Sequence, residues 1–369
     1  IRIIIDDVII CDQKGDSILY ASRISAMFSL LPLLNQKISI ASAQLFGLKA
    51  NLYQQMPQSK HNFQFVLDSL ASKDTTKHTP LDLHIGSLII RHGAVKYDKR
   101  YIASKSGVFS PAHISISDLS THIIANHITD DAINLHIKKL AFRDKSGLQL
   151  NSLSFKLDAN KREASLKEFE LQLPHSDITL GDIHATYRFD NGKLVMPSLQ
   201  YSGSIEQSKI TLSDIACLLP IFRHFEDAVF FETQFTGTST SLRCQKINFK
   251  TGSGSINLQA KGRISDWNSR PAWDVDIANL NLTEESISFI SHNLGKKINV
   301  PKEVTRLGGI HYVGHLCGHG DRLSSKGRLE MGVGNADIQL AKNGKNIQAK
   351  IATQGIALDR ILANKAFGQ

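Results

Sequence analysis

The stretch INLHIKKLAFRDKSGLQLNSLSF, residues 133–155, decides the fold of this chain. Apolar and polar residues alternate through Ile133, Leu135 and Ile137, and such a period of two places the apolar set on one face of a strand. Lys145-Ser146-Gly147 supplies a turn signal, after which the alternation resumes. The stretch therefore predicts two antiparallel strands that share one apolar face and leave the other face to water.

A finer pattern, apolar-x-apolar-x-x-apolar-x-apolar, occurs on both sides of that turn and recurs along the chain. Its copies begin at Ile3, Ile38, Leu83, Leu135, Leu148, Ile178 and Val275. The step of three would turn the second half of a plain strand to the other face, whereas a β-bulge restores the phase and adds twist. Many bulged strands side by side predict an all-β, mainly antiparallel sheet that curves.

Short helices interrupt the strands and are expected to cap the ends of the sheet. The candidates are 62–71, a segment from the possible cap Ser213 to Pro220, a segment from Thr283 to Gly295, and 358–363. Polar breaks near 72–80 and 201–208 suggest three segments, 1–75, 76–205 and 206–369, which together could form one continuous sheet.

Composition narrows the class of protein. The 369 residues are 41% hydrophobic and 21% charged, as in a chain that folds, and the formal net charge is +9. Lys and Arg are scattered and do not alternate with aromatic residues, so we expect no nucleic-acid partner. No apolar run is long enough to span a membrane, and the start within the run 1–5 without Met suggests a fragment of a longer protein.

The densest group of possible metal ligands is His311, His315, Cys317 and His319, which share one face if the segment is a strand. Neighbours two apart on a strand are separated by about 6.6 Å, so one strand rarely supplies four ligands to a tetrahedral ion. No nucleophile elbow, phosphate loop or dinucleotide fingerprint occurs in the sequence. We therefore expect a non-catalytic protein without a cofactor, with these four residues as weak metal candidates.

The order of several short motifs resembles that of TamB proteins in the AsmA-like group, of the Bacteroidetes type. The motifs are VII at 8–10, DSILYA at 16–21, SLLPLL at 29–34, KISI at 37–40, NFQF at 62–65, SDIA at 213–216, FTG at 235–237, LGGI at 307–310 and KGRL at 326–329. Each motif is degenerate, and the specificity comes from their order over most of the chain.

The resemblance implies an elongated, curved, taco-like β-sheet whose open groove carries phospholipid or another acyl lipid. The parent protein would be anchored in the inner membrane, cross the periplasm, meet an outer-membrane barrel of the TamA type through other regions, and support outer-membrane assembly. The residues expected to line the groove are Leu83, Ile85, Leu88, Ile90, Leu135, Ile137, Leu148, Leu150, Leu171, Leu173, Val275 and Ile277.

Two other functions stay open. The first is a structural or adhesive β protein whose apolar face is closed as a core. The second is an enzyme, either a metal-dependent hydrolase using the His311–His319 segment or a β-helical carbohydrate enzyme. An open face would separate the lipid carrier from the first alternative, and bound metal would favour the second.

Overall fold

A computed structural model describes residues 1–12, 15–28, 40–65, 85–128, 131–295, 298–364 and 366. Strands make up most of these residues, and nearly all neighbouring strands run antiparallel. Three short α-helices are described in full alongside them. The prediction of an all-β, mainly antiparallel fold with a few short helices is confirmed. In the part of the chain that is described, no helix has the length and apolar character needed to cross a membrane.

Residue contacts divide the chain into two compact units. Unit 1 comprises 1–177 and 214–220, and unit 2 comprises 178–213 and 221–369. The three segments suggested by the sequence stay a prediction, since the break expected at 72–80 lies outside the described residues.

Nine described strands form the sheet of unit 1. They are β1 (Arg2–Cys11), β2 (Ser17–Phe28), β3 (Ile40–Phe46), β4 (Lys49–Gln54), β5 (Ile85–Lys99), β6 (His113–Ile128), β7 (Ala132–Asp144), β8 (Gln149–Asn160) and β9 (Glu163–Gln172). Strand β2 pairs with β1 on one side and with both β3 and β4 on the other. From β5 to β9 each strand pairs antiparallel with the next.

Strand β5 departs from the antiparallel rule, because it pairs in parallel with both β3 and β4. A parallel neighbour requires a crossover of a dozen or more residues, and the connection from Gln54 to Ile85 is long enough. The helix expected at 62–71 falls in this connection. Only its beginning is described, where Gln64 and Phe65 are helical, and the rest lies outside the described residues.

The strands of unit 2 form a sheet of mostly sequential neighbours. They are β10 (Asp177–Leu180), β11 (Ile183–Thr186), β12 (Phe189–Asp190), β13 (Lys193–Leu194), β14 (Gln200–Ile210), β15 (Val229–Thr238), β16 (Ser241–Thr251), β17 (Ile256–Ser265), β18 (Ala272–Leu282), β19 (Ile310–His319), β20 (Arg322–Met331), β21 (Gly334–Asn343) and β22 (Asn346–Gln354). From β14 to β22 each strand pairs antiparallel with the next, while β12 and β13 make a separate small hairpin.

The helices of unit 2 are α1 (Ser286–Asn293), α2 (Lys302–Thr305) and α3 (Leu358–Leu362). The expected helix after Thr283 is present but begins later, and Gly295, with a φ of 59°, lies just beyond its end. The helix expected at 358–363 is confirmed as α3. The helix expected from Ser213 to Pro220 is wrong: only two short 3₁₀ turns, Leu212–Ile215 and Pro220–Phe222, form there.

Bulges lie at the predicted step of three in several strands. In β7 the pairing with β8 shifts between Ile137 and Leu140, and in β18 the pairing with β19 shifts between Ile277 and Leu280. The copies in β3, β5 and β8 also coincide with shifts in pairing. The copy that begins at Ile178 behaves differently, since its strand is interrupted between β10 and β11.

A second set of irregularities in unit 1 was not foreseen. His92, Asp118 and Glu168 have φ values of 52–54° although they lie inside strands, whereas Asp7, with a φ of 52°, lies at the predicted step between Ile5 and Val8. The left-handed region is uncommon for residues other than glycine, and it occurs in bulges. The shifts in pairing at His92, Asp118 and Glu168 accompany these values, so the strands bend at more places than the apolar pattern predicts.

Candidate functional site

Apolar side chains form rows across the strands of unit 1, because residues directly opposite each other on paired strands point to the same side. We call the set of these rows the unit 1 apolar face. One row is Leu88, Ile123, Ile137 and Phe155; a second is Ile90, Thr121, Leu140, Leu153 and Leu171; a third is Ala125, Leu135, Leu157 and Leu166. The apolar surface thus continues without a break from β5 to β9.

The bulge in β7 is what keeps these rows on one side. Leu153 and Phe155 are two apart on β8 and therefore share a face. Their partners on β7 are Leu140 and Ile137, which are three apart and would face opposite sides of a regular strand. The extra residue at the step brings both to the unit 1 apolar face.

The unit 1 apolar face is only partly shielded from water. Ala125 is buried, with 4% of its surface exposed, whereas Leu88, Ile137, Leu153 and the other large aliphatic row members are half-buried. Among the described elements, each strand packs chiefly against its neighbours in the sheet, and α2 packs against α3. No second layer of described elements therefore covers this face. A sheet normally buries its apolar face against another layer. The described residues therefore leave an apolar surface able to accept further apolar groups.

Unit 2 has an apolar face of the same kind. One row runs through Phe231, Phe249, Leu258, Leu280, Tyr312, Leu329 and Ala336, and the next through Thr233, Ile247, Ala260, Ile277, Gly314, Gly327, Ile338 and Ile351. The most buried part is a cluster of Ala260, Ile277 and Tyr312, each 8% exposed. Together these rows are the unit 2 apolar face.

On this face, aromatic rings of one strand lie over glycines of the adjacent strand. A Cβ added to Gly327 would be 2.5 Å from the Tyr312 ring, and one added to Gly318 would be 2.4 Å from the Trp273 ring. A glycine in a strand leaves room for such a ring, and the ring in turn covers backbone that would otherwise be exposed. Gly314, Gly318 and Gly327 are therefore packing positions.

The structure places most of the predicted lining residues on these faces. Leu88, Ile90, Leu135, Ile137 and Leu171 belong to the rows of unit 1, and Leu150 lies opposite Phe142 with 8% of its surface exposed. Val275 and Ile277 belong to unit 2, where they lie opposite Leu316 and Gly314.

The remaining predicted lining residues lie at or beyond strand ends. Leu148 and Leu173 fall just outside β8 and β9, where Leu173 is 9% exposed. Leu83 lies outside the described residues, and for Ile85 only the backbone, paired with Ala125, is described. Sequence reasoning missed row members such as Ile123 and Leu166. Leu166 lies in an alternating segment, whereas Ile123 is followed directly by Ile124 and Ala125.

The weak metal candidates all lie on β19, on the polar face of unit 2. His311 faces Glu330 at 3.4 Å, and the two ring nitrogens of His315 lie 3.3 and 3.4 Å from Asp276 and Asp274. No group of three or more His, Cys, Asp or Glu side chains is arranged to hold a metal ion in the ranges that the structure describes. The histidines thus have carboxylate neighbours on adjacent strands.

A contact of His, Asp and Ser side chains in unit 1 resembles a hydrolytic triad in composition only. The Asp214 carboxylate accepts hydrogen bonds from the Ser176 hydroxyl at 2.6 Å and from the His175 backbone N–H at 3.0 Å, and its other oxygen lies 2.8 Å from His175 Nδ1. In a triad the imidazole would activate the hydroxyl. Here the serine is bonded to the carboxylate, so the arrangement fixes the segment before β10.

Two histidines on the polar face of unit 1 make its stability depend on pH. Burial, followed by the charge of Lys138, lowers the pKa of His122, and burial followed by the charge of Lys156 lowers the pKa of His136, both from an ordinary value of 6.5. The unfolded chain then binds more protons than the folded chain just below pH 6.5. Stability is fully present above that pH and falls as the pH decreases through the lowered pKa values.

We expect the melting temperature of the intact chain to fall between pH 7 and pH 5, and to fall less when His122→Gln and His136→Gln are combined. Thermal unfolding followed by circular dichroism at several pH values measures this difference. His319→Gln, at an exposed histidine on β19 of unit 2, is the control. Equal pH dependence in the double variant and the parent would contradict the assignment.

No protein-family model, no curated protein and no solved structure matches this chain.

Proposed function

We propose that this protein is a non-catalytic carrier that binds the acyl chains of phospholipid on its apolar faces. The observation that carries the proposal is the unit 1 apolar face, with its continuous rows of half-buried Leu and Ile side chains in a single described layer. Each buried methylene contributes about 0.8 kcal/mol, so roughly ten of them contribute about 8 kcal/mol before the cost of ordering the lipid. A headgroup can stay in water and requires no specific polar site.

The resemblance to TamB proteins supports a place for this carrier in the cell envelope. In this proposal the parent protein is anchored in the inner membrane and spans the periplasm, and a TamA-type barrel is its partner at the outer membrane. The chain described here would supply the lipid-carrying sheet, in support of outer-membrane assembly. A sheet with one continuous apolar side suits such a task, because a lipid can move along it without crossing a polar barrier.

Phospholipid is expected to co-purify with the intact chain and to be lost from the variant Ile137→Asp with Leu153→Asp. The two carboxylates would lie in adjacent rows of the unit 1 apolar face, where burial by an acyl chain would leave them without water. Because both positions are half-buried in the lipid-free sheet, the variant should still fold. Mass spectrometry of extracted lipid, normalised to protein, measures the loss, which we expect to be at least about tenfold.

Lys167→Asp is the matched control, since it changes the net charge by the same two units on the exposed polar face of β9. It should retain the lipid of the parent chain, and circular dichroism should show the same fold in all three proteins. A parent chain that is free of lipid after mild purification, and that binds no added phospholipid vesicles, would exclude the carrier. It would favour the structural or adhesive alternative with a closed face.

A further inference from the structure

A separate cleft lies on the polar face of unit 2. The cleft has a volume of about 820 Å³. It runs across one end of strands β14 to β18, the end that is far from α1. A single cross-strand row supplies about a third of its lining: His184, Ser202, Thr236, Arg243, Arg263 and Asp274, each directly opposite the next. The alternate positions of the same strands also contribute to the lining, through Tyr201, Leu242, Ile264 and Trp273. Six strands about 4.8 Å apart give this polar row a length of roughly 24 Å.

The two arginines at the centre of the row have one acidic neighbour within it, Asp274, which lies opposite Arg263. Arg243 and Arg263 are directly opposite each other on β16 and β17, an arrangement of like charges that destabilises a strand pair. Neither guanidinium has an ion-pair or hydrogen-bond partner within the described ranges, whereas nearby Lys246 pairs with Glu232 and Lys261 lies 3.6 Å from Asp276. An anion bound between the two arginines would remove the repulsion and receive charge-assisted hydrogen bonds.

The groups that flank the arginines suit a ligand rich in hydroxyls. Thr236 and Ser202 lie on one side of the pair and Asp274 on the other, and Gln200 and His184 also line the cleft. Hydroxyl, amide and carboxylate groups can each exchange hydrogen bonds with sugar hydroxyls. A cleft of this volume is within the range of small-molecule sites. Asp274 would repel an anion, so the anionic end of the ligand belongs on the Arg243 side.

We propose that this cleft binds a phosphorylated sugar, with Arg243 and Arg263 on the phosphate and the rest of the row on the hydroxyls. The site lies on the face opposite to the unit 2 apolar face, because Arg243 and Arg263 alternate with Leu242 and Ile264 along their strands. It is thus independent of the proposed lipid carrier.

Isothermal titration of the intact chain with trehalose 6-phosphate tests the proposal, with trehalose and inorganic phosphate as the comparison ligands. We expect saturable binding of trehalose 6-phosphate, and binding at least about tenfold weaker for each of the other two. Arg243→Gln and Arg263→Gln should each weaken binding of trehalose 6-phosphate by about tenfold or more. Arg322→Gln, an exposed change on the polar face of β20 outside the row, should leave it unchanged.

Tryptophan fluorescence checks that the variants fold, since Trp267 and Trp273 both lie in unit 2. Removing either of two opposed like charges should not lower stability. Absence of saturable binding of trehalose 6-phosphate by the folded parent would overturn the proposal. So would inorganic phosphate binding as tightly as the phosphorylated sugar, because the polar row would then contribute nothing.

Discussion

Gly327→Val is expected to lower the free energy of unfolding of unit 2 by about 3 kcal/mol. The new side chain would begin 2.5 Å from the ring of Tyr312, which lies on the neighbouring strand and is 8% exposed. The ring packs with Ala260 and Ile277 in the most buried cluster of unit 2, so it has little room to move aside. Close-packed interiors resolve such overlap only by displacing side chains or backbone.

The size of this effect should depend on Tyr312. Tyr312→Ala alone should cost about 3 to 5 kcal/mol, since it empties the centre of the most buried cluster. In the Tyr312→Ala background, Gly327→Val should cost at least about 1 kcal/mol less than in the parent, because the valine then occupies space that the ring has left. Such non-additivity is the signature of a ring packed directly on a glycine.

Urea unfolding followed by tryptophan fluorescence measures these values for unit 2, which contains both tryptophans. Ser324→Val is the matched control on the same strand, exposed on the polar face, and should change stability by less than about 0.5 kcal/mol. Fully additive costs for Tyr312→Ala and Gly327→Val would contradict the packing described here.

Much of the fold follows from patterns that the sequence carries locally. The alternation around Ile137 sets the apolar side of β7, and the step from Ile137 to Leu140 marks its bulge, because both depend only on which residues are apolar. The turn at Lys145-Ser146-Gly147 is equally local: Asp144 accepts hydrogen bonds from the backbone N–H groups of Ser146 and Gly147.

Other features could not be predicted, because they depend on residues far apart in the chain or on conformations without a residue signature. His92 and Asp118 adopt positive φ inside strands, yet neither residue type requires that conformation. The opposition of Arg243 and Arg263 follows from one particular register between β16 and β17, which shifts at a bulge after Cys244. The parallel pairing of β5 depends on the path of the connection from Gln54 to Ile85, and amino-acid composition does not determine that path.

The candidate site, like the fold, could be predicted from the sequence only in part. Alternation was sufficient to identify Leu135 and Ile137 as members of an apolar face, but only the pairing shows which residues continue each row across the sheet. The polar row that includes Arg243 was invisible in the sequence, because its members come from different strands and are not near one another in the chain. A sheet builds its surfaces across strands, whereas sequence patterns are read along them.

Deletion of Ser154 is expected to destabilise unit 1 by about 2 to 4 kcal/mol. This residue separates Leu153 from Phe155 on β8, opposite the bulge of β7. Without it, Leu153 and Phe155 would be adjacent and would face opposite sides, so one of them would leave the unit 1 apolar face. Full burial of such side chains contributes about 1.5 to 3 kcal/mol each, and these two are half-buried.

Hydrogen exchange of peptides from β7 and β8, together with the melting temperature by circular dichroism, measures the effect. The deletion should speed exchange in both strands, while exchange in β19 and β20 of unit 2 should stay as in the parent. Ser154→Ala is the matched control: it removes the same hydroxyl but keeps the residue count, so it should change stability by less than about 0.5 kcal/mol. If the deletion and Ser154→Ala behaved alike, the residue opposite the bulge would have no part in keeping Leu153 and Phe155 on one face, and the link between the apolar pattern and the bulges would be lost.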